Sequence, residues 1–239
     1  MFANEQAAPP GRRTQARVAG LAGLAFVVLF VAGFVILQTS PAPSGSDEEI
    51  SSFYQGGGDR LLTLFAAYIV PFAGIAFLWF MSAVRIVFTS EPGKRVHILA
   101  PMQFATGILF VAATFVAAAA MTTSAAAVEF LDSPEDLDPD LLRAFPQLAY
   151  SIIFIFGIRM AGVFVATTSG LGRGLLPAWL RIGGFLLAAA LLLTVSFSEL
   201  LVLLFPAWVA ILSVWLLLVL AREGADDPQV AEWVGEDDA

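Results

Sequence analysis

Six stretches of this chain stay apolar for longer than the stripe of a soluble amphipathic helix does: residues 18–38, 61–88, 98–121, 148–169, 179–195 and 200–221. A helix of about 20 mainly apolar residues crosses the roughly 30 Å of hydrocarbon in a bilayer. The pattern therefore predicts an all-α fold, a polytopic transmembrane helical bundle of six spans. The fifth stretch is short, and its turn into the sixth is tight. The second is long enough to tilt, and Pro71 with Gly74 marks a bend in it, as Pro206 does in the sixth. Proline is tolerated in a membrane helix where neighbours satisfy the freed carbonyls.

The polar positions between these stretches set the expected orientation. Arg12, Arg13, Arg17, Arg85, Lys94, Arg95, Arg173, Arg181 and Arg222 fall on one side, and Arg60 and Arg143 on the other, a bias of nine to two. Cationic loops stay in the cytoplasm. The expectation is a multi-pass protein of the cell membrane with both termini cytoplasmic. Residues 1–17 then form a cytoplasmic N-terminal segment, 18–221 the six-helix domain, and 222–239 an acidic cytoplasmic tail. "GRRTQAR" before the first stretch resembles the start of an export signal. The stretch itself exceeds the roughly 7–15 apolar residues of a secretory signal, so it is expected to remain as a span.

Two outer loops carry helix-start signals. In "SDEEISSFYQGGGDR", Ser46 and Glu49 have capping-box spacing, and Ile50, Phe53 and Tyr54 share a face suited to the headgroup level. In "LDSPEDLDPDLLRAFP", Ser133 with Pro134 and Asp138 with Pro139 are cap-plus-first-turn pairs, with acids near the positive helix ends. That loop lacks the glycine turn and terminal glutamate of a calcium-binding EF-hand, so capping is the better account of its acids. In the tail, Val230, Trp233 and Val234 form a small apolar patch among acids.

Composition narrows the function. The chain is 59% hydrophobic and 13% charged, with a mean hydropathy of +0.84, which asks for the lipid bilayer as solvent. A net charge of -8 argues against nucleic-acid binding, which needs clustered Lys and Arg. No cysteine and one histidine leave no thiolate site and little scope for a histidine-built metal or haem site, so no cofactor is expected.

Catalytic templates fit poorly. "GGGD", residues 56–59, matches the G-x-G-D of intramembrane aspartyl proteases, but that chemistry needs two carboxylates within the membrane, and none of the six apolar cores contains one. "SGLGRGLL" is glycine-rich but follows a membrane helix rather than a strand, so it reads as a loop. His97 sits in "EPGKRVHILAP" at the mouth of the third span, where Lys94, Arg95 and His97 together suit an anionic lipid headgroup. The hydroxyls of "MTTSAAA", "VATTSG" and "TVSFSEL" have no base beside them and read as helix back-bonds or helix–helix bridges.

One residue breaks the apolar pattern. Arg159, in "IFIFGIRMAGVF", lies twelve residues past Gln147, about 18 Å along its helix at 1.5 Å per residue. Insertion scales assign such a charge about 2.5–3.5 kcal/mol, and arginine cannot shed it by deprotonating. Gly162, Ala166 and Gly170 lie on one face, and Gly157, Ala161 and Thr168 on the opposite one, so neighbours can approach from both sides. The fourth span is expected to be central, with Arg159 facing protein. Its candidate partners are Glu199 and Glu129, Tyr68, carbonyls freed near Pro71 or Pro206, threonine hydroxyls, water or a bound anion. Glu199 has a rival role, since Ser196 stands at capping-box spacing from it.

On "YIVPFAGIAFLWFMSAVR" (68–85), "FGIRMAGVFVATTS" (156–169) and "LLFPAWV" (203–209), the chain resembles a group of uncharacterised six-span bacterial integral membrane proteins. The resemblance covers most of the membrane region but not the tail. It implies a single six-helix unit and carries over no catalytic or binding residue. The expected function is a non-catalytic accessory or scaffold protein, meeting a protein partner through its outer loops or acidic tail. The alternative is a small permease, or a binder of an anionic amphiphile that uses Arg159. An intramembrane enzyme is the least supported reading, for want of a nucleophile–base pair.

Overall fold

The computed structural model describes residues 12–38, 45–55, 57–89, 98–130, 138–194 and 199–225. Within them the chain is helical throughout and forms no strand. The helices are α1 (Arg12–Leu37), α2 (Asp47–Gln55), α3 (Gly57–Thr89), α4 (Leu99–Phe130), α5 (Pro139–Ser151), α6 (Ile158–Leu171), α7 (Ala178–Leu193) and α8 (Glu199–Ala225). A π-helical turn, Ile152–Gly157, joins α5 to α6 without a break. Five helical stretches are long and apolar enough to cross a membrane: α1, α3, α4, α5 with α6, and α8. α7 has 16 residues, about 24 Å at 1.5 Å per residue.

Contacts between helices reveal their directions. Gly33 meets Val70 while Phe26 meets Phe77, so residue numbers fall along α3 as they rise along α1. The same reversal relates α3 to α4 (Gly74 on Phe115, Met81 on Gly107) and α4 to α6 (Gly107 on Phe164, Leu99 on Gly170). It also relates α6 to α7 (Gly162 on Leu191, Ser169 on Gly184) and α1 to α8 (Gly20 on Leu217, Gly23 on Ser213). The helices alternate up and down. One end of the bundle carries Arg17, Arg85, Arg173 and Arg181, and the other Asp47, Glu48, Glu49, Asp138 and Asp140. These are called the basic and acidic ends below.

A layer of phenylalanines divides the two halves. Phe26, Phe77, Phe110, Phe164 and Phe205, one from each long apolar stretch, are all at most 3% exposed. Phe77 lies 4.8 Å from Phe26, 5.3 Å from Phe110, 5.0 Å from Phe164 and 5.7 Å from Phe205, centroid to centroid. Tilted and edge-on rings at such separations suit the aromatic quadrupole. α7 contributes no ring and lies against α6. The outer surface is apolar too: Leu21, Val28 and Val35 on α1, and Phe65, Phe72, Ile75 and Trp79 on α3, all face outward. So broad an exposed apolar surface is consistent with a lipid bilayer around it.

Several expected boundaries move. α4 continues to Phe130, well past residue 121, because "MTTSAAAVEF" keeps the helix while Thr122 and Thr123 bond back to Ala118 and Ala119. The second outer loop does not hold a separate helix after Asp138. Instead, α5 runs on into the membrane helix. Asp138 caps it, its Oδ1 accepting from the Asp140 N–H at 2.9 Å, with Pro139 in the first turn. Ser46 caps α2, accepting from the Glu49 N–H at 3.2 Å. Ile50 of that helix packs on Ala125, Val128 and Leu142, so α2 turns its apolar face to the bundle rather than to headgroups. α8 runs four residues into the expected tail, and Ser133, Pro134, residues 226–239 and the Tyr54 side chain lie outside the described residues.

Candidate functional site

The π-helical turn arises where one N–H reaches a residue further back than an α-helix allows. The Ile158 N–H donates to the Ile153 carbonyl instead of that of Phe154. The Arg159 guanidinium donates to the Phe154 carbonyl through Nη1. Nη2 donates to the Thr194 carbonyl at 3.2 Å. Thr194 is the residue that ends α7, so Arg159 places a cation where helix carbonyls lack partners and the macrodipole is negative. Gly162, one turn along α6, lets the Leu191–Leu192 stretch approach closely enough for this reach. Arg159 thus joins the π turn to the end of α7.

The alternative partners are placed elsewhere. Tyr68 stands on the outward face of α3, 68% exposed, with its ring 5.5 Å from Phe72. Pro71 and Pro206 lie inside continuous helices, and the carbonyls that Arg159 takes belong to Phe154 and Thr194. The side chains of Glu199 and Glu129 lie outside the described residues, as do Lys94, Arg95 and His97. Arg85, near the basic end of α3, stands over the Phe104 ring at 5.4 Å, a cation–π contact between α3 and α4.

A second arginine, on the same helical run, closes the acidic end. Arg143 of α5 pairs with Asp47 at 2.5 Å and Asp140 at 3.2 Å and donates to the Gly45 carbonyl at 2.7 Å. It joins the start of α2 to α5, as the Ser124 hydroxyl joins α4 to α5 by donating to the Leu142 carbonyl at 3.0 Å. Sequence reasoning weighed Arg143 only as a loop charge.

Beside the π turn lies a cavity of about 80 Å³. Phe30, Val70, Met121 and Phe154 form apolar walls, and Ala117 and Ala118 leave space where larger side chains would fill it. α1 packs on α3 and α8 and hardly meets the π turn, so the gap between them stays open. At its acidic side the Tyr150 hydroxyl donates to Gln38 Oε1 at 2.9 Å, a bridge across that gap. The Gln38 Nε2 is buried and has no acceptor. Neither Gln38 nor Tyr150 carried any sequence signal, because each ends or begins an apolar stretch without a motif.

Below the phenylalanine layer, toward the basic end, polar side chains are buried without partners: both amide atoms of Gln103, the hydroxyls of Thr168, Ser169 and Ser213, and Trp208 Nε1. Among the described residues, no group of three or more His, Cys, Asp or Glu side chains is placed to hold a metal ion. Comparisons with protein-family models, curated proteins and solved structures find no match to the chain.

Proposed function

We propose that the chain is a non-catalytic integral membrane protein, an accessory or scaffold subunit that offers its acidic end to a partner protein. In this reading six helices cross the cell membrane, α7 among them, and both termini face the cytoplasm. One observation carries it. The single charge within the apolar run donates to two backbone carbonyls of its own chain, so it acts as a tether. A ligand-binding arginine would keep its donors for a substrate anion. The capped and cross-braced α2–α5 corner supports the choice of surface, because it fixes Asp47 and Asp140 in place and leaves them exposed.

The test is native mass spectrometry of the protein purified in mild detergent at its native level. The scaffold reading expects a co-purifying protein, and it expects Arg159→Gln to retain the same bound lipids and metabolites as the wild type. Loss of one anionic species in an intact Arg159→Gln protein would instead establish the permease or amphiphile-binding alternative. A homogeneous particle with no companion protein would count against the scaffold. The orientation has its own check: protease added outside sealed cells should leave residues 222–239 intact.

A further inference from the structure

We infer that the cavity between α1, α4 and the π turn is a binding site for a neutral single-chain amphiphile, such as a monoacylglycerol. Apolar side chains dominate its lining among the described residues, and its volume of about 80 Å³ takes the first few carbons beside the head while the rest of an alkyl chain lies along the open side. Three polar side chains line it, and their donors can be traced in turn. The Thr114 hydroxyl donates to its own helix, at the Phe110 carbonyl, 2.9 Å away. The Tyr150 hydroxyl donates to Gln38 Oε1. Gln38 Nε2 is left as a donor without an acceptor, buried at the same rim.

A buried donor without a partner costs about 1–3 kcal/mol, so a bound group that accepts a hydrogen bond there recovers stability that a plain hydrocarbon cannot. The head of the occupant therefore carries a carbonyl or ether oxygen. It is uncharged, because no arginine, lysine or histidine lines the cavity among the described residues, and Arg159 is engaged by the Phe154 and Thr194 carbonyls. A carboxylate would be buried without a counter-charge. Phe34, Leu37, Tyr150 and Ile153 are only half-buried, so the cavity communicates with the surroundings of the helices and a chain can enter from the bilayer. The site does not depend on the scaffold reading, since it uses neither the acidic corner nor the Arg159 charge.

The test uses the full-length protein in phosphatidylcholine nanodiscs, titrated with 1-lauroylglycerol or with dodecane, which has no acceptor, and read by native mass spectrometry. One 1-lauroylglycerol per chain is expected, bound about tenfold more tightly than dodecane, the value of one hydrogen bond near 1.4 kcal/mol. Ala118→Phe fills the space and should remove binding. Gln38→Leu removes the donor and should bring the two probes to within about twofold of each other, by loss of that same bond. Equal binding of both probes by the wild type would overturn the inference, as would unchanged binding in a folded Ala118→Phe protein. Retention of phosphatidylcholine in place of the probe would do the same. If Ala118→Phe fails to fold, Gln38→Leu decides alone: a preserved preference for 1-lauroylglycerol overturns the proposal.

Discussion

On the acidic side of the phenylalanine layer the helices are linked by directed hydrogen bonds, and on the basic side by close approach. Arg159 to Thr194, Tyr150 to Gln38, Ser124 to Leu142 and Arg143 to Gly45 all cross between segments in the acidic half. In the basic half, Gly20, Gly23, Gly107 and Gly184 each stand against a neighbouring side chain, with no room for a Cβ, and Gln103, Thr168, Ser169, Ser213 and Trp208 carry buried polar atoms without partners. Lipid removes the hydrophobic drive between helices, leaving packing and hydrogen bonds to hold them. Close approach serves both halves, as at Gly74 against Phe115 in the acidic one, and in that half hydrogen bonds between segments add to it. The hydrogen-bonded half accommodates a π turn and a cavity, and the close-packed half has no π turn among the described residues.

The largest effect is expected where the halves meet. Phe77→Ala would open a void bordered by Phe26, Phe110, Phe164 and Phe205. A loss of about 3–5 kcal/mol is expected, the range for deleting a buried ring. Equilibrium unfolding in mixed micelles would measure it. A loss below that of any acidic-half substitution would show that the layer fills space without joining the two halves.

Next comes the tether. Arg159→Met removes the guanidinium bonds to the Phe154 and Thr194 carbonyls and the cation from the end of α7. About 1.5–3 kcal/mol should be lost, as for a hydrogen bond to a charged group. The loss should appear as faster hydrogen exchange at the end of α7, with α1 and α3 unchanged. Arg159→Lys should recover only part of it, because one ammonium lacks the planar fork that serves two carbonyls. Full recovery by lysine would mean that charge alone matters.

How much of this was legible beforehand follows the same division. Apolar runs and capping residues are local signals, so the helices, the Ser46 and Asp138 caps and the small-residue faces of α6 could be read from the chain. The expected end of the third stretch falls at "MTTS", where hydropathy drops, yet Thr122 and Thr123 make the back-bonds the sequence suggests and α4 runs on to Phe130. The sequence places Arg159 facing protein but does not point to its partners. Backbone carbonyls are present at every position, and the π turn and the end of the short α7 bring these two within reach. The Gln38–Tyr150 bridge joins residues 112 apart in sequence with no motif at either end, so only the fold brings it to light.

Smaller effects sharpen the basic half. A Cβ on Gly184 would fall 2.1 Å from Ser169 Oγ and 3.2 Å from Trp208 Nε1, so α6, α7 and α8 converge on the missing side chain. Gly184→Ala should cost about 1–2 kcal/mol by overpacking. Adding Ser169→Ala removes the nearest obstructing atom, and the pair should be less destabilised than the two single changes combined, by at least about 0.5 kcal/mol, the coupling typical of residues in contact. Strict additivity would mean that the helices move apart, and that close approach is not what holds them.

The smallest change carries the opposite sign. Gln103 is fully buried in α4, and both of its amide atoms lack partners. Gly107 faces Phe164 across the antiparallel α4–α6 contact, so one turn toward the basic end Gln103 lies level with Thr168, whose hydroxyl is also unpartnered. Methionine nearly matches glutamine in length and has no strong hydrogen-bonding group to desolvate. Gln103→Met should therefore stabilise the protein by about 1 kcal/mol, the low end of the cost of an unmet buried polar group. A midpoint shift in thermal unfolding would report it. Destabilisation instead would mean that the amide is satisfied by water held between α4 and α6, and the basic half would then be bonded through solvent rather than held by packing alone.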